Sequence, residues 1–194
     1  MTTYTYHRIA KLAESLTNAG VETGVIDEIM AGGDKIGQKM SGEKKAEWFR
    51  GAMERLDGLV DFETRRGVRE NCACCLGGKR LELSRGIARR GGSLEERVAA
   101  ANETTFVFGH SVTLEPDGRI VVRFAQDESV DNRCVCLPQA QEAISASYCL
   151  CCGGHIKHHL QIALGQKLEM NVRSSALSSA GKQPCSFWFR IVEN

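Results

Sequence analysis

The chain has 194 residues, 42% of them hydrophobic and 25% charged, with a formal net charge of +1. That is the balance of one globular domain, or of one domain with a helical extension, long enough to bury a sizeable core. The near-neutral charge argues against nucleic acid and against a membrane surface as partners. No window approaches the roughly 20 apolar residues of a membrane span. The start, MTTYTYHRIAKLAESLTNAG, has no charged region followed by an apolar run, so it does not read as a signal peptide. The expected compartment is the cytoplasm, where thiols stay reduced.

The first hundred residues carry helical periodicity. Ile9, Leu12, Ala13 and Leu16 form one apolar stripe, and Val25, Ile26, Ile29 and Met30 a second. The glycine-rich stretch 31–42 breaks the pattern. Phe49, Met53, Leu56 and Val60 then recur at helical spacing beside Trp48, with Ser41 placed as a cap. Residues 61–90 continue largely helical, and a cysteine cluster, NCACC, falls at a break within them. Gly91-Gly92 ends this part. Ser93 and Glu96 have the spacing of a capping box for a helix running to about Ala101.

The period then shortens to two. Phe106, Phe108, His110, Val112 and Leu114 alternate, Glu115-Pro116-Asp117-Gly118 makes a turn, and Ile120, Val122 and Phe124 return. This predicts a hairpin over 105–125. A polar loop, QDESVDNR, leads to RCVCLP, and residues 139–147 suggest at most a short helix. After SYCLCC a helix is expected from His155 to about Ala163, then a strand through Leu168, Met170 and Val172. A last strand is expected through Cys185, Phe187, Phe189 and Ile191. The sum is an α+β fold: N-terminal helices packed on an antiparallel sheet, with a helix inserted between the C-terminal strands. Residues 1–40 read as a helical extension and 41–194 as a Cys-rich α+β metal- and ligand-binding domain, one domain throughout being the alternative.

Eight of the nine cysteines fall in three groups: Cys72, Cys74 and Cys75; Cys134 and Cys136; Cys149, Cys151 and Cys152. In a reducing compartment such clustering points to metal ligation or redox chemistry rather than to structural disulfides. Zinc takes four thiolate or imidazole ligands. Cys72/Cys75 and Cys149/Cys152 share an i, i+3 spacing, and four further cysteines remain, so eight thiols fit two four-cysteine sites or one shared cluster. Lys79, Arg80, Arg133, Lys157 and the histidines are the expected counter-charges. Because the groups lie about sixty residues apart along the chain, metal would clamp the helical region to the sheet and couple to folding.

Other chemistries fit the same residues. Four thiolates also hold an iron–sulfur cluster, although neither common ferredoxin spacing is present. Adjacent cysteines and Cys-x-Cys pairs make strained disulfides, and no βαβ pattern frames the Cys-x-x-Cys pairs. Cys152 beside His155 is the best pair for thiol catalysis, and buried thiols that simply pack are the plainest alternative. His155, His158 and His159 share one helix face and are expected to be solvated. His110 is expected on the apolar face of a strand, and Cys185 in the core. Lys79, Arg80, Arg85, Arg89 and Arg90 read as a solvated helix face.

The stretch CLCCGGHIKHHLQIALGQKLEMNVRSSALSSAGKQPCSFWFRI, residues 149–191, resembles the 4-vinyl reductase domain family in its Cys-rich turn, glycine, helix, strand, loop and final strand with Cys-x-Phe. The resemblance implies helices flanking an antiparallel sheet, a pocket for an apolar small molecule, and metal-binding cysteines at Cys149, Cys151, Cys152 and Cys185. Taken together, the sequence predicts a zinc-binding domain that binds or senses a small molecule near Phe106, Phe108 and Phe124. An iron–sulfur electron-transfer or redox-sensing protein and a zinc- or thiol-dependent hydrolase are the alternatives. The oligomeric state stays open, a homodimer included.

Overall fold

The computed structural model describes residues 2–126 and 131–192. The expected polar loop at 126–133 lies partly outside them, at 127–130. The described elements are α1 (His7–Asn18), α2 (Thr23–Ile29), α3 (Gly42–Leu59), α4 (Phe62–Asn71), α5 (Gly78–Arg90), α6 (Leu94–Glu103), a single turn α7 (Thr105–Phe108), β1 (Ser111–Leu114), β2 (Ile120–Arg123), α8 (Leu150–Leu164), β3 (Leu168–Ser174) and β4 (Ser186–Ile191). Short 3-10 turns occupy Gly33–Lys35 and Ala146–Cys149.

The helix starts follow from local hydrogen bonding. Ser41 Oγ accepts from Lys44 N at 3.4 Å, and Asp61 Oδ1 from Thr64 N at 3.0 Å. Both halves of the Ser93/Glu96 capping box form, at 2.7 and 3.3 Å. Each satisfies amides that the first turn leaves without helical partners. The apolar stripes of α1 and α3 face inward: Ile9, Leu12, Leu16, Phe49, Met53 and Leu56 are buried in one continuous core with the sheet residues Phe187 and Phe189.

The sheet is antiparallel throughout, in the order β1-β2-β4-β3. Its register puts Val112, Val122, Phe187 and Val172 in one cross-strand row and Leu114, Ile120, Phe189 and Met170 in the next. Since side chains alternate between faces, these rows make one apolar face, on which α8 packs. The other face carries Thr113, Arg123, Trp188, Arg190 and Glu169. The fold is thus α+β, with helices at the N-terminal side and α8 inserted between the two strand pairs.

Three elements differ from the sequence expectation. The hairpin begins at Ser111, not at 105. Thr105–Phe108 form a helical turn, with Phe108 N donating to Thr104 O at 3.2 Å. Phe106 and Phe108 therefore do not alternate across a sheet: Phe108 is fully buried, Phe106 half-exposed. Gly109 ends the turn at φ +92°, packed so closely on β2 that a Cβ would lie 3.1 Å from Arg123 O. His110 consequently sits in an exposed bend before β1. Finally, α8 starts at Leu150, so Cys151 and Cys152 occupy its first turn rather than a preceding loop.

Candidate thiol site

The two glycines that follow the third cysteine group set the position of α8. A Cβ on Gly154 would lie 2.6 Å from the carbonyl oxygen of Glu70 and 2.9 Å from its Cα. A Cβ on Gly153 would lie 2.4 Å from Met170 Cε. The Met170 side chain is flexible, whereas the Glu70 backbone is not, so it is Gly154 that lets α8 approach α4 at this depth. That approach brings Cys151 and Cys152 to the segment that follows α4, which carries Cys72, Cys74 and Cys75. The Gly77-Gly78 pair after the first cysteine group does something else: neither meets any atom within 4 Å, and Gly78 at φ +58° opens α5. The likeness between the two cysteine stretches is therefore one of sequence only.

Five of the eight clustered cysteines line one cavity of about 410 Å³: Cys74 and Cys75 from the α4–α5 connection, Cys136 from the irregular segment after β2, and Cys151 and Cys152 from α8. The sulfurs of Cys136 and Cys152 are 3.5 Å apart. Cys72 stands at the end of α4, where its thiol reaches Lys11 O at 3.8 Å. Cys134 is buried against Cys136. Cys149 leaves the group: its sulfur is 2.9 Å from Ser175 Oγ, beside Cys185, whose sulfur accepts from Ala176 N at 3.4 Å. All nine thiols are free. Among the described residues, no three His, Cys, Asp or Glu side chains are grouped so as to hold a metal ion.

The histidines organise the cysteine loop. His155 Nδ1 donates to Cys74 O at 2.9 Å, and His159 Nε2 to Cys75 O at 3.1 Å. His159 Nδ1 is 3.0 Å from Ser84 Oγ on α5. His159 is wholly buried, contrary to the expectation of a solvated side chain, because the α5–α8 contact closes over that face. Burial lowers its pKa to about 4, so it is neutral and its Nδ1 accepts the Ser84 proton. Cys75 adopts φ +61°, a left-handed conformation that costs a non-glycine residue about 1 kcal/mol, and the histidine bond holds it there.

Of the counter-charges the sequence suggests, Arg80 and His155 line the cavity with the cysteines, and Lys79, Arg133 and Lys157 do not. Lys157 pairs with Glu70 at 2.7 Å, Arg133 with Asp131 at 3.5 Å, and Lys79 and Arg80 lie over the Phe106 ring. The cations at the sulfurs are Arg69 and Arg8. Arg69 is 2% exposed, donates to the carbonyls of Ser147 and Tyr148 at 3.4 and 3.0 Å, and lies over the Tyr148 ring. No carboxylate among the described residues pairs with it. Burial works against its charge, and the sulfurs of Cys72 and Cys151, the Tyr148 phenol and the Cys152 sulfur favour it and prevail. Arg8, half-buried, donates to Cys136 O at 2.7 Å. No sequence pattern singles out these two arginines; Arg69 looks like any charged residue of a polar helix.

The sulfurs respond unequally. Cys136 is held well below the usual thiol range by hydrogen bonds from Cys134 and Cys152, then by Arg8 and Arg69. Cys151 is lowered by a hydrogen bond from Cys152, then by Arg69. Cys152 and Cys134, the donors, are raised. Burial pushes Cys74 up to about 11 and Cys149 up to about 12. The two lowered sulfurs are those on which Arg8 and Arg69 act. The cavity wall also has an apolar part, Phe106, Val107, Phe124, Val135 and Ile156, with Arg80, Thr105 and His155 beside it. Of the three aromatic residues expected at a binding face, Phe106 and Phe124 line it, and Phe108 is buried away from it.

A model of a family of unknown function, DUF6144, matches residues 6–189. The chain belongs to the DUF6144 family. That match covers nearly the whole chain and corrects the resemblance to 4-vinyl reductase domains, which rested on residues 149–191 alone. No curated protein matches this DUF6144 chain. Solved structures resemble it, among them two of H-NOX proteins. A crystal structure of an H-NOX protein from S. oneidensis in the Fe(II)NO ligation state is 12% identical, with a TM-score of 0.40. An NMR structure of a mutant H-NOX domain from Shewanella oneidensis in the Fe(II)CO ligation state is 13% identical, also at 0.40. Each alignment covers 96% of this chain and 98% of the other. No helix of the described residues is long and apolar enough to cross a membrane.

Proposed function

We propose that this DUF6144 protein binds a thiophilic divalent metal, zinc foremost, at the sulfurs of the cavity wall, and that the apolar part of the same cavity takes a small molecule in a binding or sensing role. The observation that carries this reading is Arg69. A guanidinium is always protonated, and an ion buried without a counter-charge costs several kcal/mol. The groups acting on Arg69 are sulfurs and a phenol, and its charge in turn lowers the thiols of Cys136 and Cys151. Four thiolates around a divalent ion carry about −2 in net charge, which Arg8 and Arg69 would balance.

Under this reading Cys136, Cys151 and Cys152 are ligands, and Cys72, Cys74 or Cys75 supplies the fourth. Cys134 and Cys149 stay outside, the first donating to Cys136 and the second turned to Ser175. The sulfurs are near one another without forming a coordination sphere, so binding would turn the side chains and order the α4–α5 connection, coupling metal to folding. When bound, zinc would supply a closed tetrahedral cross-link between three segments distant in sequence.

The test is elemental analysis with a visible spectrum and thiol titration, on protein purified without oxygen or chelator. About one zinc per chain, no colour, and four thiols protected until chelator is added is the expected result. Iron with sulfide and a brown spectrum, or no metal with all nine thiols titrating at once, overturns it.

A further inference from the structure

We infer that Cys136 and Cys152 are a reversible disulfide pair, which makes the cavity wall a peroxide-responsive modification site. Their sulfurs stand 3.5 Å apart and both open on a cavity of about 410 Å³, ample for a peroxide molecule. The pair is 16 residues apart and joins the irregular segment after β2 to α8, so it escapes the strain of a link between adjacent cysteines such as Cys151 and Cys152. Forming the bond shortens the separation to about 2.05 Å. The movement falls to the segment around Cys136, which belongs to no helix or strand and carries Val135 at 71% exposure. Arg8, bonded to Cys136 O at 2.7 Å, gives the cationic surroundings in which thiols react.

The chemistry balances with one peroxide. The Cys136 sulfur attacks a peroxide oxygen, the O–O bond breaks, and the departing hydroxide takes up a proton as water, leaving a sulfenic acid. The Cys152 sulfur attacks the sulfenyl sulfur, the S–S bond forms, and the hydroxyl leaves as a second water. Two thiols lose two electrons and one peroxide gains them; a dithiol reductant reverses the step. The inference does not rest on metal binding, although a metal on these sulfurs would shield them.

The experiment uses the full chain. Metal content is measured first, which tests the metal reading separately. Chelator-treated protein then receives one equivalent of hydrogen peroxide. Loss of two of the nine titratable thiols is expected, restored by dithiothreitol. Cleavage after Glu142 separates the two cysteines, so unreduced fragments carrying Cys136 and Cys152 should stay joined. C136S and C152S should each abolish the link, and C134S and C151S keep it. Should a serine variant not fold, sequencing of the joined wild-type fragments by tandem mass spectrometry still assigns the link among their five cysteines, Cys134, Cys136, Cys149, Cys151 and Cys152. No loss of thiols, a link within one fragment, or sulfinic acid on Cys136 without a link overturns the inference.

Discussion

Arg69 carries the electrostatics of the site. Its guanidinium replaces water with two carbonyls, an aromatic face and nearby sulfurs. Arg69→Met keeps much of the volume but leaves the Ser147 and Tyr148 carbonyls without their donor and removes the charge that favours thiolate. A loss of about 3 kcal/mol in urea unfolding is expected, by analogy with breaking other buried ionic networks. Arg69→Lys should recover less than half of it, because a single ammonium does not reproduce the planar fork. A wild-type unfolding midpoint in Arg69→Met would contradict the role given to this residue. The cysteines themselves stand out in sequence, being rare and clustered; the arginine that faces them does not, because burial of a charged residue on a polar helix is decided by what packs over it.

At the scale of elements, the meeting of α4, α8 and β3 decides which thiols share a cavity. Gly154→Ala places a methyl group 2.6 Å from a backbone oxygen of α4, where no flexible side chain gives way. The helices must separate, at about 2–3 kcal/mol. Gly77→Ala, with open space around it, should cost under about 1 kcal/mol, chiefly through a poorer cap. Comparing the two melting curves checks this, and equal effects would mean that α8 does not owe its position to Gly154. The helix stripes, the capping box, the two late strands and the turn at 115–118 were all readable beforehand, since each rests on contacts within a few residues. The α7 turn was not: Phe106 and Phe108 have strand spacing, but Gly109 must approach β2 without a side chain, and that contact is not local.

For the molecule as a whole, the buried histidine sets a pH dependence. The folded-state pKa of His159 is lowered to about 4, against about 6.5 for an ordinary histidine. The unfolded chain therefore binds a proton that the folded chain refuses between those values. Stability is full above about pH 6.5, falls as pH drops toward 4, and is not lost further through this group below that. The drop should reach roughly 3 kcal/mol, from 1.36 kcal/mol per pKa unit. His159→Gln should reduce the slope between pH 6.5 and 4, leaving the part due to His155, which burial also lowers; an unchanged slope in denaturant unfolding would show that other groups cause it. The sequence alone determined the α+β class, the order of most elements and the presence of clustered thiols, because periodicity, capping and residue chemistry act over a turn of helix or a pair of strand positions. Only the tertiary structure decided that Cys136 meets Cys152, that Cys149 turns away, and that Arg69 and Arg8 face the sulfurs. Those contacts join segments brought together by close packing of glycines and by burial, which no local pattern encodes.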